Sequence, residues 1–255
     1  MSRFVLPAAT TLAAALLLGA CSKSSTTAGS PAESQPSLSN ALSPAAVAQA
    51  AKAAKDSHLP QPNFSTPDNA YVALTKGNQV MFLDAAFSGL PPNYDRMAQA
   101  YSSDYRSTTD AFKKHDLLAA LQPKMDAAIA DAKANPYITW NDDTPQIGHY
   151  DFTQHTFADN SALFQQGGYV SFFDNGAYNL AVTNGPAFQQ FRVADETKAR
   201  EIEDLVGKFQ SLHVKIYAFV QSTDDSGVPT VQAVITKVQL LDSHGQVLLE
   251  QSAPH

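Results

Sequence analysis

Two segments of this 255-residue chain hold side chains that could support acid–base or metal chemistry. The first runs from His149 to His155 and reads HYDFTQH. In a straight strand, His149, Asp151 and His155 would share one face, because alternate residues point to the same side. Imidazole and carboxylate groups are zinc ligands, but strand neighbours two apart are separated by about 6.5 Å, which is wide for one ion. A polar outer face of a half-buried strand is the favoured interpretation, so we expect neither a metal nor a cofactor.

The second segment is the acidic pair Asp142-Asp143, which follows Trp140. Two carboxylates beside an aromatic ring could form a glycan-binding site, whereas a solvated loop has the same composition. The weak catalytic candidates are therefore Asp142, Asp143, His149, Asp151 and His155. The chain has no G-x-S-x-G, H-E-x-x-H, phosphate-loop or dinucleotide-binding motif, which favours a protein that is not an enzyme.

Four aromatic residues flank the turn signal Asp174-Asn175-Gly176: Tyr169, Phe172, Phe173 and Tyr178. Asn-Gly between two short apolar runs is a strong signal for a β-hairpin. Rings beside such a turn either pack into the core or form a contact surface. We therefore treat these four residues as candidates for a binding surface.

The sequence predicts helices first and strands afterwards as the elements that position these residues. This order indicates an α+β fold. Residues 66–134 carry helical periodicity, from a Thr66-Pro67 start to Asn135. In this region we expect Gly77 inside the first helix, a second helix over 94–105, and a third that Pro123 kinks or divides.

The pattern after residue 136 alternates with period two and predicts an antiparallel sheet. The expected strands are 137–140, 147–153, 169–173, 178–183 and 188–193, followed by a helix over 195–209 and a C-terminal β-meander. Within the meander the apolar phase shifts after Ile235, which predicts a β-bulge there.

The N-terminus has the layout of a secretory signal peptide, with Arg3, an apolar segment and small residues before Cys21, which is the single cysteine. The run Leu18-Gly19-Ala20-Cys21 resembles the lipobox of bacterial lipoproteins. The resemblance implies cleavage after Ala20 and lipidation of Cys21, with membrane attachment through the acyl chains. Ser22 after the cysteine implies the inner leaflet of the outer membrane, facing the periplasm.

Residues 21–65 are rich in Ser, Thr, Ala, Pro and Gln, which predicts a flexible tether, with one short alanine-rich helix possible over 45–55. We expect a single globular domain over 66–251. Without residues 1–20 the chain has 24 acidic and 16 basic side chains, so nucleic acid is a poor partner.

Lipobox, tether and small acidic α+β domain together resemble the layout of immunity lipoproteins, which protect Gram-negative bacteria from wall-degrading toxins. The stretch 71–121 is also similar to uncharacterised envelope lipoprotein domains. The resemblance implies that the chain binds a protein partner in the periplasm. Neutralising a cell-wall-targeting toxin is one specific form of this binding role. Two alternatives stay open: an envelope enzyme or glycan binder using the Asp/His residues, and a structural lipoprotein of envelope assembly.

Overall fold

The computed structural model describes residues 58–254. The predictions for the signal sequence, Cys21 and the helix over 45–55 lie outside these residues. The described part has the predicted α+β class, with helices, a seven-stranded mixed sheet and a second sheet of three strands. Its helices are α1 Gly77–Phe87, α2 Tyr94–Tyr101, α3 Ser103–Ser107, α4 Ala111–Ala134 and α5 Glu196–Gly207.

The strands are β1 Val72–Ala73, β2 Tyr137–Asp142, β3 Ile147–Asp151, β4 Thr156–Asp159, β5 Tyr169–Ser171, β6 Asn179–Val182, β7 Gln190–Arg192, β8 His213–Asp224, β9 Thr230–Leu241 and β10 Val247–Ser252. The large sheet has the order β1-β2-β8-β9-β6-β5, and β10 also pairs with β9. The small sheet has the order β3-β4-β7.

An antiparallel sheet was predicted, but the large sheet is mixed, because β1–β2 and β6–β9 pair in parallel. Strand β8 pairs with one edge of β9, and strands β6 and β10 pair with different parts of its other edge. Strand β6 pairs with Thr230–Ala233, and β10 with Lys237–Leu241. Local alternation indicates a strand but not its direction relative to a partner 51 residues away, as for Asn179 and Thr230, or 66 residues away, as for Val72 and Ile138. The parallel pairing therefore could not be predicted from the sequence.

The predicted bulge in β9 is confirmed at Thr236. Tyr217 pairs with Lys237 and Ala218 pairs with Ile235, so Thr236 is the extra residue. Its hydroxyl donates to the Tyr217 carbonyl oxygen at 3.1 Å and lies 2.9 Å from the Tyr71 hydroxyl. The bulge is therefore held by side chains as well as by the ladder.

The first helix begins later than predicted. Gly77 is its first residue rather than its middle, and a short 3₁₀ helix (Asp68–Ala70) and strand β1 precede it. Starting a helix at glycine avoids the cost of about 1 kcal/mol for glycine in a helix interior. The region predicted as 94–105 divides into α2 and α3, whereas α4 continues through Pro123 as one element.

The core lies between α1 and the large sheet. Val80, Met81 and Leu83 of α1 are almost wholly buried, as are Ile216 of β8 and Ile235 of β9. Each such side chain contributes about 1.5–3 kcal/mol through burial. This packing fixes the side of α1 that carries the candidate site described below.

Residues before Thr66, within the segment predicted as a tether, also contact the domain. The Gln221 side-chain amide donates to the Pro60 carbonyl oxygen at 3.0 Å, and the Asn63 backbone amide donates to the Tyr137 hydroxyl at 2.7 Å. The polar composition of this segment hid the contacts, because they use backbone groups. No helix of the described residues is both long and apolar enough to cross a bilayer.

Candidate functional site

The acidic pair at the end of β2 forms two separate local contacts. The carboxylate of Asp142 accepts a hydrogen bond from the Thr144 backbone amide at 3.0 Å. The carboxylate of Asp143 lies 3.0 Å from Nδ1 of His213, on the neighbouring strand β8. The pair therefore acts as a loop cap and a surface contact in this fold.

The histidine segment does not form one straight strand, because β3 ends at Asp151. The Asp151 carboxylate accepts from the backbone amides of Thr153 and Gln154, and His155 has a positive φ of 54°. The chain thus turns before His155, whose Nδ1 lies 3.1 Å from the Tyr150 hydroxyl.

His149 points instead to helix α5. Its Nδ1 lies 2.7 Å from Oε1 of Glu203, and Oε2 of Glu203 accepts from the Tyr150 backbone amide at 2.9 Å. Within residues 58–254, no three His, Cys, Asp or Glu side chains are grouped so that they could hold a metal ion. The five acid and histidine candidates therefore occupy separate contacts rather than one cleft.

The four aromatic candidates divide between surface and core. Phe173 is fully exposed and Tyr169 is 57% exposed, whereas Phe172 is half-buried against the core. Tyr178 is only 3% exposed. The loop over 172–178 thus has an exposed ring near its start and a buried ring at its end.

The buried ring of Tyr178 is part of the wall of a cleft that we call the Asp84 cleft. It has a volume of about 230 Å³ and lies between α1, the start of α2, Tyr178 and the β8–β9 turn. Its charged lining residues are Asp84, Arg96 and Asp225. The apolar part of the wall is formed by Met81, Ala85, Leu90, Pro91, Pro92, Met97 and Pro229.

Each charged group of the cleft is positioned by a different element. Asp84 lies on the buried face of α1, three residues after Met81. Arg96 lies in the first turn of α2, where its backbone amide donates to the Asn93 side chain at 3.0 Å as a helix cap. Its guanidinium stands 5.4 Å from the centre of the Tyr178 ring, within the range of a cation–π contact.

The electrostatics of the cleft centre on Asp84. Its residue surface is 9% exposed, and its Oδ1 atom is buried without a hydrogen-bond partner among the described residues. Burial raises the pKa of Asp84 to about 6; the negative charge of Asp225 adds to the rise and the positive charge of Arg96 opposes it. Burial likewise raises the pKa of Tyr178. Perturbed ionisable groups in a cleft are typical of functional sites.

The exposed ring of Phe173 belongs to a 3₁₀ turn, Phe173–Asn175, that is fixed to the start of α1. The Asp174 carboxylate accepts from the Gly77 backbone amide at 2.8 Å, and the Asn175 side chain donates to Asn78 at 3.0 Å. A Cβ atom on Gly77 would lie 2.7 Å from the Asn175 carbonyl oxygen, so glycine is required for this close approach. We call this structure the Phe173 turn.

Two further cavities are less specific. One of about 170 Å³ lies beside α5 and is lined by Tyr150, Phe152, His155, Arg200 and Glu203, among others. The other, of about 230 Å³, is a mainly apolar groove between α1, α4 and β1. Neither contains a buried polar atom that lacks a partner among the described residues.

Comparison of the chain with protein-family models, with curated proteins and with solved structures gave no match. Sequence reasoning found Phe173 and Tyr178 but missed Asp84, Arg96 and Asp225. The available signal was an acidic residue three positions after Met81, beside the apolar stripe of the first helix.

Proposed function

We propose that the chain is a lipid-anchored, non-enzymatic binding protein of the bacterial cell envelope, which binds a partner protein through the Phe173 turn. The sequence supports the anchor through the lipobox at residues 18–21. The position we propose is the inner leaflet of the outer membrane, facing the periplasm. The observation that carries the binding role is the exposure of Phe173 on a fixed turn.

A fully exposed phenylalanine gains nothing from folding but offers a large apolar area to a partner. Aromatic anchors of this kind fill pockets at the centres of protein interfaces. The hydrogen bonds of Asp174 and Asn175 to α1 hold the turn in one conformation before binding. Preorganisation lowers the entropy that association would otherwise cost.

Charge indicates which partner fits. Residues 58–255 contain 22 acidic and 13 basic side chains. An acidic surface favours and accelerates association with a basic partner. We infer a partner with an apolar pocket and a basic rim; the specific form we propose is a wall-degrading toxin that the protein neutralises in the periplasm.

The first test places a photo-crosslinking amino acid at residue 173 of the full-length, membrane-anchored protein. We expect one predominant crosslinked partner. The same amino acid at Phe112, which is also well exposed but lies on α4, is the matched control and should not capture that partner. An identical pattern from both positions would contradict the role of the Phe173 turn.

The second test concerns what the partner is. Cells that lack the gene should lyse when neighbouring cells deliver a wall-degrading toxin, and the wild-type gene should restore protection. Phe173→Ala should not restore it, whereas Phe112→Ala should. Capture of outer-membrane assembly machinery by residue 173, with no effect of deletion on toxin sensitivity, would instead favour a structural lipoprotein.

A further inference from the structure

Of the three charged side chains of the Asp84 cleft, Asp84 is buried, whereas Arg96 and Asp225 are exposed. Asp84 is nine-tenths buried, and its Oδ1 atom has no hydrogen-bond partner among the described residues. Arg96 and Asp225 form no ion pair within the same part of the chain, and the contact of the Arg96 guanidinium is with the Tyr178 ring. The site thus has two carboxylates and one guanidinium free for a ligand.

A ligand that satisfies these groups needs charges of both signs. An ammonium group pairs with the carboxylates of Asp84 and Asp225, and a carboxylate pairs with the guanidinium of Arg96, whose planar donors match it. A simple amine leaves Arg96 without a partner, and a simple acid leaves the carboxylates without one. The combination of both groups on one small skeleton is an amino acid.

The size and lining of the cleft agree with such a ligand. A volume of about 230 Å³ is below the roughly 300–1,000 Å³ of sites for drug-sized molecules. Met81, Leu90 and Pro91 provide an apolar wall for an aliphatic side chain. The charged lining carries a net charge of −1 with Asp84 ionised, so an acidic side chain is disfavoured.

We propose that the Asp84 cleft binds the zwitterion of a free amino acid with an aliphatic or basic side chain. The ammonium binds the carboxylates of Asp84 and Asp225, and the carboxylate binds Arg96. This site is distinct from the Phe173 turn, so the proposal goes beyond the protein-binding function. Phe173→Ala should leave it unchanged, which separates failure of one proposal from failure of the other.

The test is isothermal titration of the full chain in detergent with L-leucine, L-lysine and L-glutamate up to about 10 mM, the range in which weak millimolar binding is measured. Butylamine and butyrate present the ammonium and the carboxylate singly. We expect leucine and lysine to bind at least about ten-fold more tightly than either, because each charge-assisted hydrogen bond adds substantial affinity. Glutamate should bind more weakly than leucine. Dipeptides of leucine and lysine, whose ammonium and carboxylate lie on different residues, should bind more weakly than the free amino acids.

Site variants assign the binding to this cleft. Asp84→Asn and Arg96→Gln should each reduce affinity for leucine at least about ten-fold. The controls Asp116→Asn and Arg106→Gln change the same charges on exposed residues outside the cleft and should leave affinity unchanged. Circular dichroism checks that each variant is folded. Absence of binding by the wild-type chain, or binding that Asp84→Asn and Arg96→Gln leave intact, would overturn the proposal.

Discussion

A carboxylate that is buried without a hydrogen-bond partner lowers the stability of a folded protein, and Asp84 is in that position. Proteins retain such groups where function needs them, so stability and activity then oppose each other. A change that removes the charge of Asp84 should therefore stabilise the fold and weaken the proposed ligand site together. For a residue with a purely structural role, the same change would not raise stability while it weakened ligand binding.

The pH dependence of Asp84→Asn tests this point. Because the folded-state pKa is raised to about 6 from an ordinary 3.8, ionised Asp84 opposes folding above that range, and the cost disappears as pH falls below about 4. The pKa difference corresponds to roughly 3 kcal/mol, which we reduce to about 1–2 kcal/mol because the residue borders an open cleft.

We expect Asp84→Asn to have a higher free energy of unfolding than wild type at pH 8 by about 1–2 kcal/mol, and an equal one near pH 3.5. Denaturant titration at the two pH values measures the difference. Asp116→Asn, on an exposed side chain, should match wild type at both. A destabilised Asp84→Asn at pH 8 would show that the carboxylate has a stabilising partner.

The same residue shows why the site was hidden in the sequence. Met81 and Asp84 are three residues apart, so the helical period puts both on one face. The burial of Asp84 depends on Tyr178 and on the β8–β9 turn. These lie about 90 and 140 residues further along the chain. The period of one helix does not indicate which distant loops pack over it.

At the scale of elements, the sequence predicted those features that local periodicity determines. The long strands β8 and β9, helix α5 and the bulge at Thr236 follow from alternation, from helical spacing and from a shift of phase. The parallel pairing of β6 with β9 and the late start of α1 depend on tertiary contacts. Gly77 shows this best, because the Phe173 turn packs against its backbone.

Gly77→Ala tests the coupling between α1 and the Phe173 turn. The new Cβ would come within 2.7 Å of the Asn175 carbonyl oxygen, so the turn must move or the helix must shift. We expect a loss of about 1–3 kcal/mol in the free energy of unfolding and weaker crosslinking from residue 173. Denaturant titration and the crosslinking yield measure the two effects.

Gly207→Ala is the matched control, because nothing lies within 4 Å of a Cβ placed there, near the end of α5. Alanine should stabilise the protein by up to about 1 kcal/mol through its higher helix propensity. Equal effects of the two substitutions would show that Gly77 has no special contact with the Phe173 turn.

At the scale of the whole molecule, the proposed lipobox and the proposed binding surfaces would have separate tasks. The proposed acyl chains on Cys21 hold the chain at a membrane, while the Phe173 turn and the Asp84 cleft lie within residues 58–254. Pro60 and Asn63 contact β8 and β2, so this part of the chain packs against the domain. Anchoring and binding should therefore be separable by mutation.

Cys21→Ser provides this separation. Each buried CH₂ of an acyl chain contributes about 0.8 kcal/mol, so two or more chains give stable attachment and their loss should release the protein. After fractionation we expect the wild-type chain with membranes and Cys21→Ser in the soluble fraction. The released protein should keep its unfolding midpoint and its crosslinking from residue 173, because the described core and the Phe173 turn are formed by residues between 74 and 253. Protection of cells should fall if the partner acts beside the membrane. Retention of Cys21→Ser on membranes would contradict lipidation at this residue.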